Sequence, residues 1–345
     1  MAGALRVTAA GPGATVQDGG RHLYLRYGVT PAGPMDWVAF RTANLAAGND
    51  AEAAALEISV GGLDLLCEEA PLAVAICGGA FLWRREGREV PSPCCLVLQP
   101  GEHLTVRAGA YGAWCYLAVA GGFATPPEMG SRATHTRSGI GGLEGRMLRA
   151  GDLLPIGAAL APSIETYIEA RIEAPWLAQP SPLERPLRVV PGPQDDYFSD
   201  AGLATFFEAE FELTPMADRM AYRLDGPLVA HSRGFNIVSD GIALGAIQIA
   251  GDGRPLVLMA DRQPTGGYPK IGHIARADIG RIAQMRPGAR CRFARVGVAE
   301  ARAALLALED EIVMTRAFLR PLQAELSSER LLAANLVDGF IDALA

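Results

Sequence analysis

The sequence predicts a mainly β protein with some α, organised as a pair of barrels from an internal duplication and ending in C-terminal helices. Three observations carry this prediction. The stretch Ile58-Ser-Val-Gly-Gly-Leu-Asp-Leu and the following Pro71-Leu-Ala-Val-Ala align without a gap, at a constant offset, with Ile242-Ala-Leu-Gly-Ala-Ile-Gln-Ile and Pro255-Leu-Val-Leu-Met. Repetition in kept order points to a duplicated unit. Short alternating apolar runs such as Leu104-Thr-Val106 and Ile247-Gln-Ile249, separated by Gly/Pro pairs, have the period of two expected for half-buried strands. From Val298 the period turns helical.

The repeat extends beyond its gapless centre. Asp36-Trp-Val-Ala-Phe-Arg41 is similar to Asp218-Arg-Met-Ala-Tyr-Arg223, and Arg6-Val7 to Arg188-Val189. Pro100-Gly101 before Leu104 and Val106 has its counterpart in Pro287-Gly288 before Cys291 and Phe293. Between the copies Pro162, Pro175, Pro180, Pro182 and Pro186 mark a linker expected to hold no regular sheet, because proline cannot donate to a ladder. The expected organisation is a first β unit over residues 1–158, a Pro-rich linker over 159–186, a second β unit over 187–297 and a helical extension over 298–345.

Helices interrupt the strands. Residues 34–47 begin with proline and an early Asp36 and stop at Gly48-Asn49, and residues 199–208 start at a capping serine. A helix matching the first is expected around Arg219 and Arg223. Ala301, Leu305, Leu308 and Ile312 lie on one face until Pro321, and a second helix is expected over residues 327–344. Such a stripe needs cover, from its own barrels or from another subunit, and its own barrels are the expected surface.

Length and composition set bounds. The chain has 345 residues, half of them hydrophobic, enough for a sizeable core. Residues 1–7 show neither a signal-peptide pattern nor an apolar span, so a cytoplasmic protein without a membrane role is expected. The net charge of -7, with no basic block, argues against nucleic acid. Six cysteines without C-x-x-C spacing, and five histidines without ligand spacing, read as packing residues, and no metal site is expected.

One residue stands apart. Of 31 basic side chains, thirty are arginine and a single one, Lys270, is lysine. Lysine supplies a compact point charge where arginine presents a planar fork. Lys270 ends the densest polar segment, Asp261-Arg-Gln-Pro-Thr-Gly-Gly-Tyr-Pro-Lys270, which follows the apolar run Pro255-Leu-Val-Leu-Met-Ala260. A rigid strand that delivers a loop with two glycines suits an anion or carbonyl site. Thr15-Val-Gln-Asp-Gly-Gly-Arg21, Gly130-Ser-Arg132 and Gly139-Ile-Gly-Gly-Leu-Glu-Gly-Arg146 are weaker signals, open to a structural reading as turns. No phosphate loop, dinucleotide fingerprint or nucleophile elbow is present.

Thr15 to Arg21, Gly130-Ser-Arg132 and Asp261 to Lys270, with Gly33 to Asp36, Ala43-Asn44 with Gly48-Asn49, Leu56-Glu57, Tyr116-Leu-Ala-Val-Ala-Gly-Gly122, Gly151-Asp152, Asp218-Arg219-Met220 and Ala246-Ile-Gln248, resemble the allophanate hydrolase subunit 2 family, also called biotin-dependent carboxyltransferase or KipA-like. The resemblance covers roughly residues 5–297, and Leu331-Leu-Ala-Ala-Asn-Leu is similar to its 5-oxoprolinase branch. Pro264 departs from the threonine more usual there and removes a backbone donor.

The resemblance implies two cyclophilin-like β-barrel domains and an active site shared with a KipI-like partner. It implies an ATP-dependent 5-oxoprolinase, using ATP with Mg at the level of a complex that also contains an amidase-like partner. It leaves open a carboxyltransferase component acting on urea or a similar small amide, and a regulatory protein that antagonises a KipI-like kinase inhibitor. No covalent biotin is expected on this chain, because its lysine sits in Tyr-Pro-Lys-Ile rather than a biotinyl motif. Polarising an amide carbonyl calls for donors at the oxygen. The candidates for catalysis are Lys270, Thr265, Asp261 and Gln248. Those for substrate binding are Arg219, Arg223, Arg262, Gln263, Gly266, Gly267, Tyr268, Arg21 and Arg132.

Overall fold

The structure, a computed structural model, describes residues 3–158, 168–178 and 180–322. Two large sheets dominate it. In the first, the strands run in the order Leu319–Pro321, Ala170–Ile172, Cys94–Leu98, Leu72–Arg85, His103–Val119, Leu63–Glu68, Ala4–Ala10 and Leu153–Pro155. Strand Ala55–Ser59 branches off His103–Val119 and carries Thr15–Gln17. Alternation builds this sheet: in Leu63–Glu68 every second residue is buried. The two longest strands cross where glycines face each other. A Cβ on Gly79 would lie 2.7 Å from the Gly112 Cα, so the backbones approach as no other residue permits, and the register shifts there.

The second sheet has eight strands, from Arg290–Cys291 through Phe211–Ala217, Ala221–Asp225, Pro255–Leu258, Ala246–Ile249, Lys270–Ile274 and Leu187–Pro191 to Phe293–Arg295. Its first and last members are consecutive pieces of one stretch separated by Arg292, so the sheet returns on itself as a barrel. Closure removes the free edges. Phe206 fills its interior, stacked on Phe293 with centroids 4.6 Å apart.

Four α-helices are described: α1 (Trp37–Ala46), α2 (Asp200–Glu208), α3 (Ile279–Ala283) and α4 (Val298–Val313). Asp36 caps α1 by accepting from the Val38 and Ala39 amides at 3.1 and 3.2 Å, and Ser199 caps α2 through the Gly202 amide. Helix α1 packs on the first sheet and also contacts α3 and α4. The Trp37 indole donates to the Arg276 carbonyl at 3.0 Å and lies between the guanidiniums of Arg41 and Arg276. From the end of α3, Gln284 donates to Asp36 at 2.8 Å and to the Trp114 carbonyl at 2.9 Å. Helix α4 buries Leu308 and Ile312 against its own chain. The helix expected over residues 327–344 lies outside the described residues.

Three expectations need correction. The proline-rich stretch contributes a strand after all: Ala170–Ile172 pairs with both Cys94–Leu98 and Leu319–Pro321, because its prolines fall outside those three positions. Arg219 and Arg223 are not helical. Asp218 makes the same local cap as Asp36, accepting from the Met220 and Ala221 amides at 2.7 and 3.1 Å, but the chain then enters strand Ala221–Asp225, held on both sides by neighbours. The gapless repeat keeps the order strand, turn, strand, yet its neighbours differ. Strand Leu63–Glu68 pairs with Ala4–Ala10 and His103–Val119, whereas Ala246–Ile249 pairs with Pro255–Leu258 and Lys270–Ile274. The sequence offset is therefore not an equivalence of sheet positions.

The two sheets are joined by a buried ionic fork. Arg219 reaches Asp261 through Nε and Nη2 at 2.9 and 2.8 Å, donates from Nη2 to the Gly33 carbonyl at 2.7 Å, and pairs through Nη1 with Glu57 of the first sheet. Burial by itself would lower the Arg219 pKa, but Asp261 and Glu57 outweigh it and raise it. Removing one member of such a cluster strands the others in a dry site. Arg219→Met is expected to destabilise the fold by about 3–5 kcal/mol, and adding Glu57→Gln and Asp261→Asn should restore part of the loss. Urea unfolding measures both, and a wild-type midpoint for Arg219→Met would show that the fork holds nothing together.

Candidate functional site

Lys270 opens strand Lys270–Ile274 and is paired in register with Gln248 on strand Ala246–Ile249. Ile247, Ile249 and Ile271 point into the main core, so by alternation Gln248 and Lys270 share the opposite, outer face of the barrel. Both are covered: Gln248 is 1% exposed and Lys270 2%. The cover is a two-stranded ribbon in which Asp240–Gly241 pairs with Thr265–Gly266. A Cβ on Gly266 would meet the Gln248 carboxamide at 2.7 Å, which is why this position takes glycine.

The polar groups beneath the ribbon are unevenly matched. The Lys270 ammonium donates to Asp240 Oδ2 at 2.6 Å and holds that carboxyl below its usual range. Gln194 accepts from the Lys270 amide and donates to Asp240, each at 3.3 Å. Gln248 Nε2 donates to the Tyr268 carbonyl at 3.3 Å, while its Oε1 is buried with no partner. The His273 pKa is pushed down, first by burial and then by Lys270. The ammonium and the orphaned acceptor thus belong to register-paired residues on one covered strand face, a donor and an acceptor of the kinds an amide edge requires.

The candidate residues divide between this site and elsewhere. Lys270, Gln248, Thr265 and Gly266 come together. Gly267 follows, its carbonyl accepting from the Ile237 amide at 2.9 Å, and the Tyr268 side chain reaches the surface beside it. Asp261 does not join them, because both its carboxylate oxygens are taken by Arg219 in the fork. Arg262 turns inward to the carbonyls of Ile242 and Met259, and burial pushes its pKa down to about 10. Gln263 is half-buried with its Oε1 unpartnered. Arg223 pairs with Asp252, in the turn between strands Ala246–Ile249 and Pro255–Leu258.

Arg21 is fully buried, clasped by the carbonyls of Glu128, Ser131 and Ala133 at 3.0 to 3.4 Å, and Arg132 donates to the Thr125 carbonyl at 2.7 Å. These two arginines pin the loops of the first sheet. Near them His135 senses Asp261, Arg219 and Arg21, and burial lowers its pKa. Asp240 and Gln194 are site residues that the sequence pattern does not single out. The signal for Asp240 is present in one form: a buried lone lysine needs a counter-ion, and nothing adjacent in sequence supplies one.

Known proteins bear on this arrangement. Residues 27–295 match the family described as carboxyltransferase domain, subdomain A and B. The protein named as the C subunit of 5-oxoprolinase in Escherichia coli is 37% identical over 297 residues, which are 86% of this chain and 93% of that protein. Urea amidolyase of Saccharomyces cerevisiae is 30% identical over 84% of this chain, but the match occupies 16% of that protein. The crystal structure of the K. lactis urea amidolyase aligns with a TM-score of 0.83 at 28% identity, covering 94% of this chain and 20% of that one. With its barrel, its fork and its covered lysine all inside or at the edge of the matched region, the chain belongs to the carboxyltransferase domain family of A and B subdomains.

Proposed function

We propose that the chain is one subunit of an ATP-dependent 5-oxoprolinase that opens 5-oxo-L-proline to L-glutamate, together with an amidase-like partner and a KipI-like partner. The observation that carries this reading is the register pairing, under the ribbon, of Lys270 with Gln248, whose Oε1 has no partner. A lactam presents its N–H and C=O on one edge. Gln248 Oε1 accepts from the N–H, and donors among Lys270, the Thr265 hydroxyl and the Gly266 and Gly267 amides face the oxygen as it gains charge. The match over 93% of a protein named as one 5-oxoprolinase subunit supports a role within a complex.

Among the described residues no three His, Cys, Asp or Glu side chains converge to hold a metal ion, and the proposal assigns ATP with Mg to the complex as a whole. Lys270, sealed and inside Tyr-Pro-Lys-Ile, does not fit a biotin attachment site. A second reading, carboxyl transfer to urea from a separate biotin protein, is favoured by the likeness to urea amidolyase. No helix among the described residues is long and apolar enough to cross a membrane. A cytoplasmic location is part of the proposal.

Two measurements test this reading. ATP-coupled release of glutamate from 5-oxo-L-proline should appear only when the amidase-like and KipI-like partners are added to the purified chain. Turnover by the isolated chain, or urea-dependent carboxyl transfer in its place, would overturn the assignment. For Lys270 the informative change is Lys270→Met, which keeps the length and removes the charge. Because Asp240 is half-exposed, losing the ammonium leaves no carboxylate dry, so the urea midpoint should hold. Turnover of the complex should fall on the order of 100- to 1000-fold. Lys270→Arg should fail as well, since a planar fork does not fit so closed a site, whereas Arg254→Lys on the surface should have no effect. Normal turnover with Lys270→Met removes the lysine from the chemistry.

A further inference from the structure

The ribbon over Lys270 stands outside both large sheets. Its strand Asp240–Gly241 is hydrogen-bonded in a sheet to Thr265–Gly266 alone, and the Asp240 side chain is 50% exposed although the ammonium it pairs with is 2% exposed. An exposed carboxylate loses little when it turns to water. Beneath it Gln248 packs its carboxamide against Gly266, and its Oε1 is buried without a partner. A buried acceptor with no donor marks a position where something else donates.

What takes the place of Asp240 must itself be negative. A neutral carbonyl arriving at Lys270 would leave a buried ammonium without a counter-charge, which is the costly arrangement. The group beside it must be an N–H, because the free atom on the register-paired Gln248 is an acceptor. A carboxylate adjacent to an amide N–H meets both demands.

We propose that Asp240 is an internal stand-in for a substrate carboxylate, and that the ribbon Asp240–Gly241 with Thr265–Gly266 opens to admit a small N-acylated amino acid, cyclic or open, whose carboxylate replaces Asp240 on Lys270 while its N–H donates to Gln248. This rests on the oxoprolinase reading for the identity of the ligand and refines it. In 5-oxo-L-proline the carbonyl oxygen, N–H and carboxylate line one edge as acceptor, donor and acceptor. Of the donors proposed above for the carbonyl, Lys270 is here assigned to the carboxylate and Gln248 takes the N–H, so Thr265 and the glycine amides remain for the carbonyl. Asp240 is a specificity-determining residue in this scheme, since urea carries no carboxylate to displace it.

The single lysine provides a direct readout. Acetylation of the full-length chain by an N-hydroxysuccinimide ester, followed by peptide mass spectrometry, reports on one side chain, Lys270. Labelling of the native wild type should be slow compared with the same chain in urea. Asp240→Asn should label several-fold faster with an unchanged urea midpoint. 5-Oxo-L-proline should slow the labelling, and 2-pyrrolidinone, the same ring without the carboxylate, should not. Equal protection by 2-pyrrolidinone, or an unchanged rate in Asp240→Asn, overturns the proposal. Protection by N-acetylglycine without protection by 5-oxo-L-proline keeps the carboxylate exchange and removes the oxoprolinase reading. Protection by neither carboxylate overturns the exchange.

Discussion

The Arg219 fork is the contact from which the geometry of both sheets follows. Its guanidinium binds Asp261 of the second sheet with two hydrogen bonds and extends to Glu57 and the Gly33 carbonyl of the first. Glu57 is itself fixed, accepting from the Met35 amide and the Tyr116 hydroxyl at 2.7 Å each. Tyr116 OH in turn accepts from the Asp36 amide at 2.7 Å, which sets the start of α1. A buried charge is tolerated only when nearly every donor and acceptor around it is used, and here each partner serves to position the next.

The fork also roots the candidate site. The Asp261 amide donates to the Arg219 carbonyl at 2.8 Å, so backbone and side chain both tie the start of the 261–269 loop to the turn that carries Arg219. From there the chain runs through Thr265–Gly266 of the ribbon to Lys270. The two ends of this loop are held differently. Asp261 is anchored in a dense ionic network, and Lys270 in a barrel strand with neighbours on both sides. Between them the ribbon has one pairing partner. Rigidity at both ends and weak pairing in the middle is the distribution expected of a cover that moves over a fixed floor.

Local rules wrote the legible part of this protein. The caps at Asp36 and Ser199, the strand at Ile247–Ile249 and the apolar stripe of α4 depend on neighbours a few residues away, and they can be read directly. Asp218 shows where this stops. Its side chain repeats the capping pattern of Asp36, but whether a capped turn continues as helix or strand is decided by what pairs with it, and the strand Pro255–Leu258 is more than thirty positions away. The pairing of Glu57 with Arg219, 162 positions apart, leaves no local mark at all. The segment around Lys270 is readable as a site because polar density and paired glycines are local features. Nearness in sequence suggests the same site for Asp261, yet Arg219 takes both its carboxylate oxygens.

The solitary lysine follows from the same accounting of donors. Two buried arginines of this fold are held by several acceptors: Arg21 by three carbonyls, although its Nη1 has no partner, and Arg281 by the carbonyls of Pro180, Ser181 and Arg185 together with Asp278. A guanidinium carries five N–H groups in a fixed plane and needs such a crowd to be buried. The site beneath the ribbon offers one carboxylate oxygen within reach, from Asp240, and no ring of carbonyls. An arginine there would leave several donors dry, whereas an ammonium on a flexible stem can turn its remaining N–H groups toward an incoming ligand. A sequence that otherwise uses arginine for every cation keeps lysine where the pocket has few acceptors of its own and must receive them from outside.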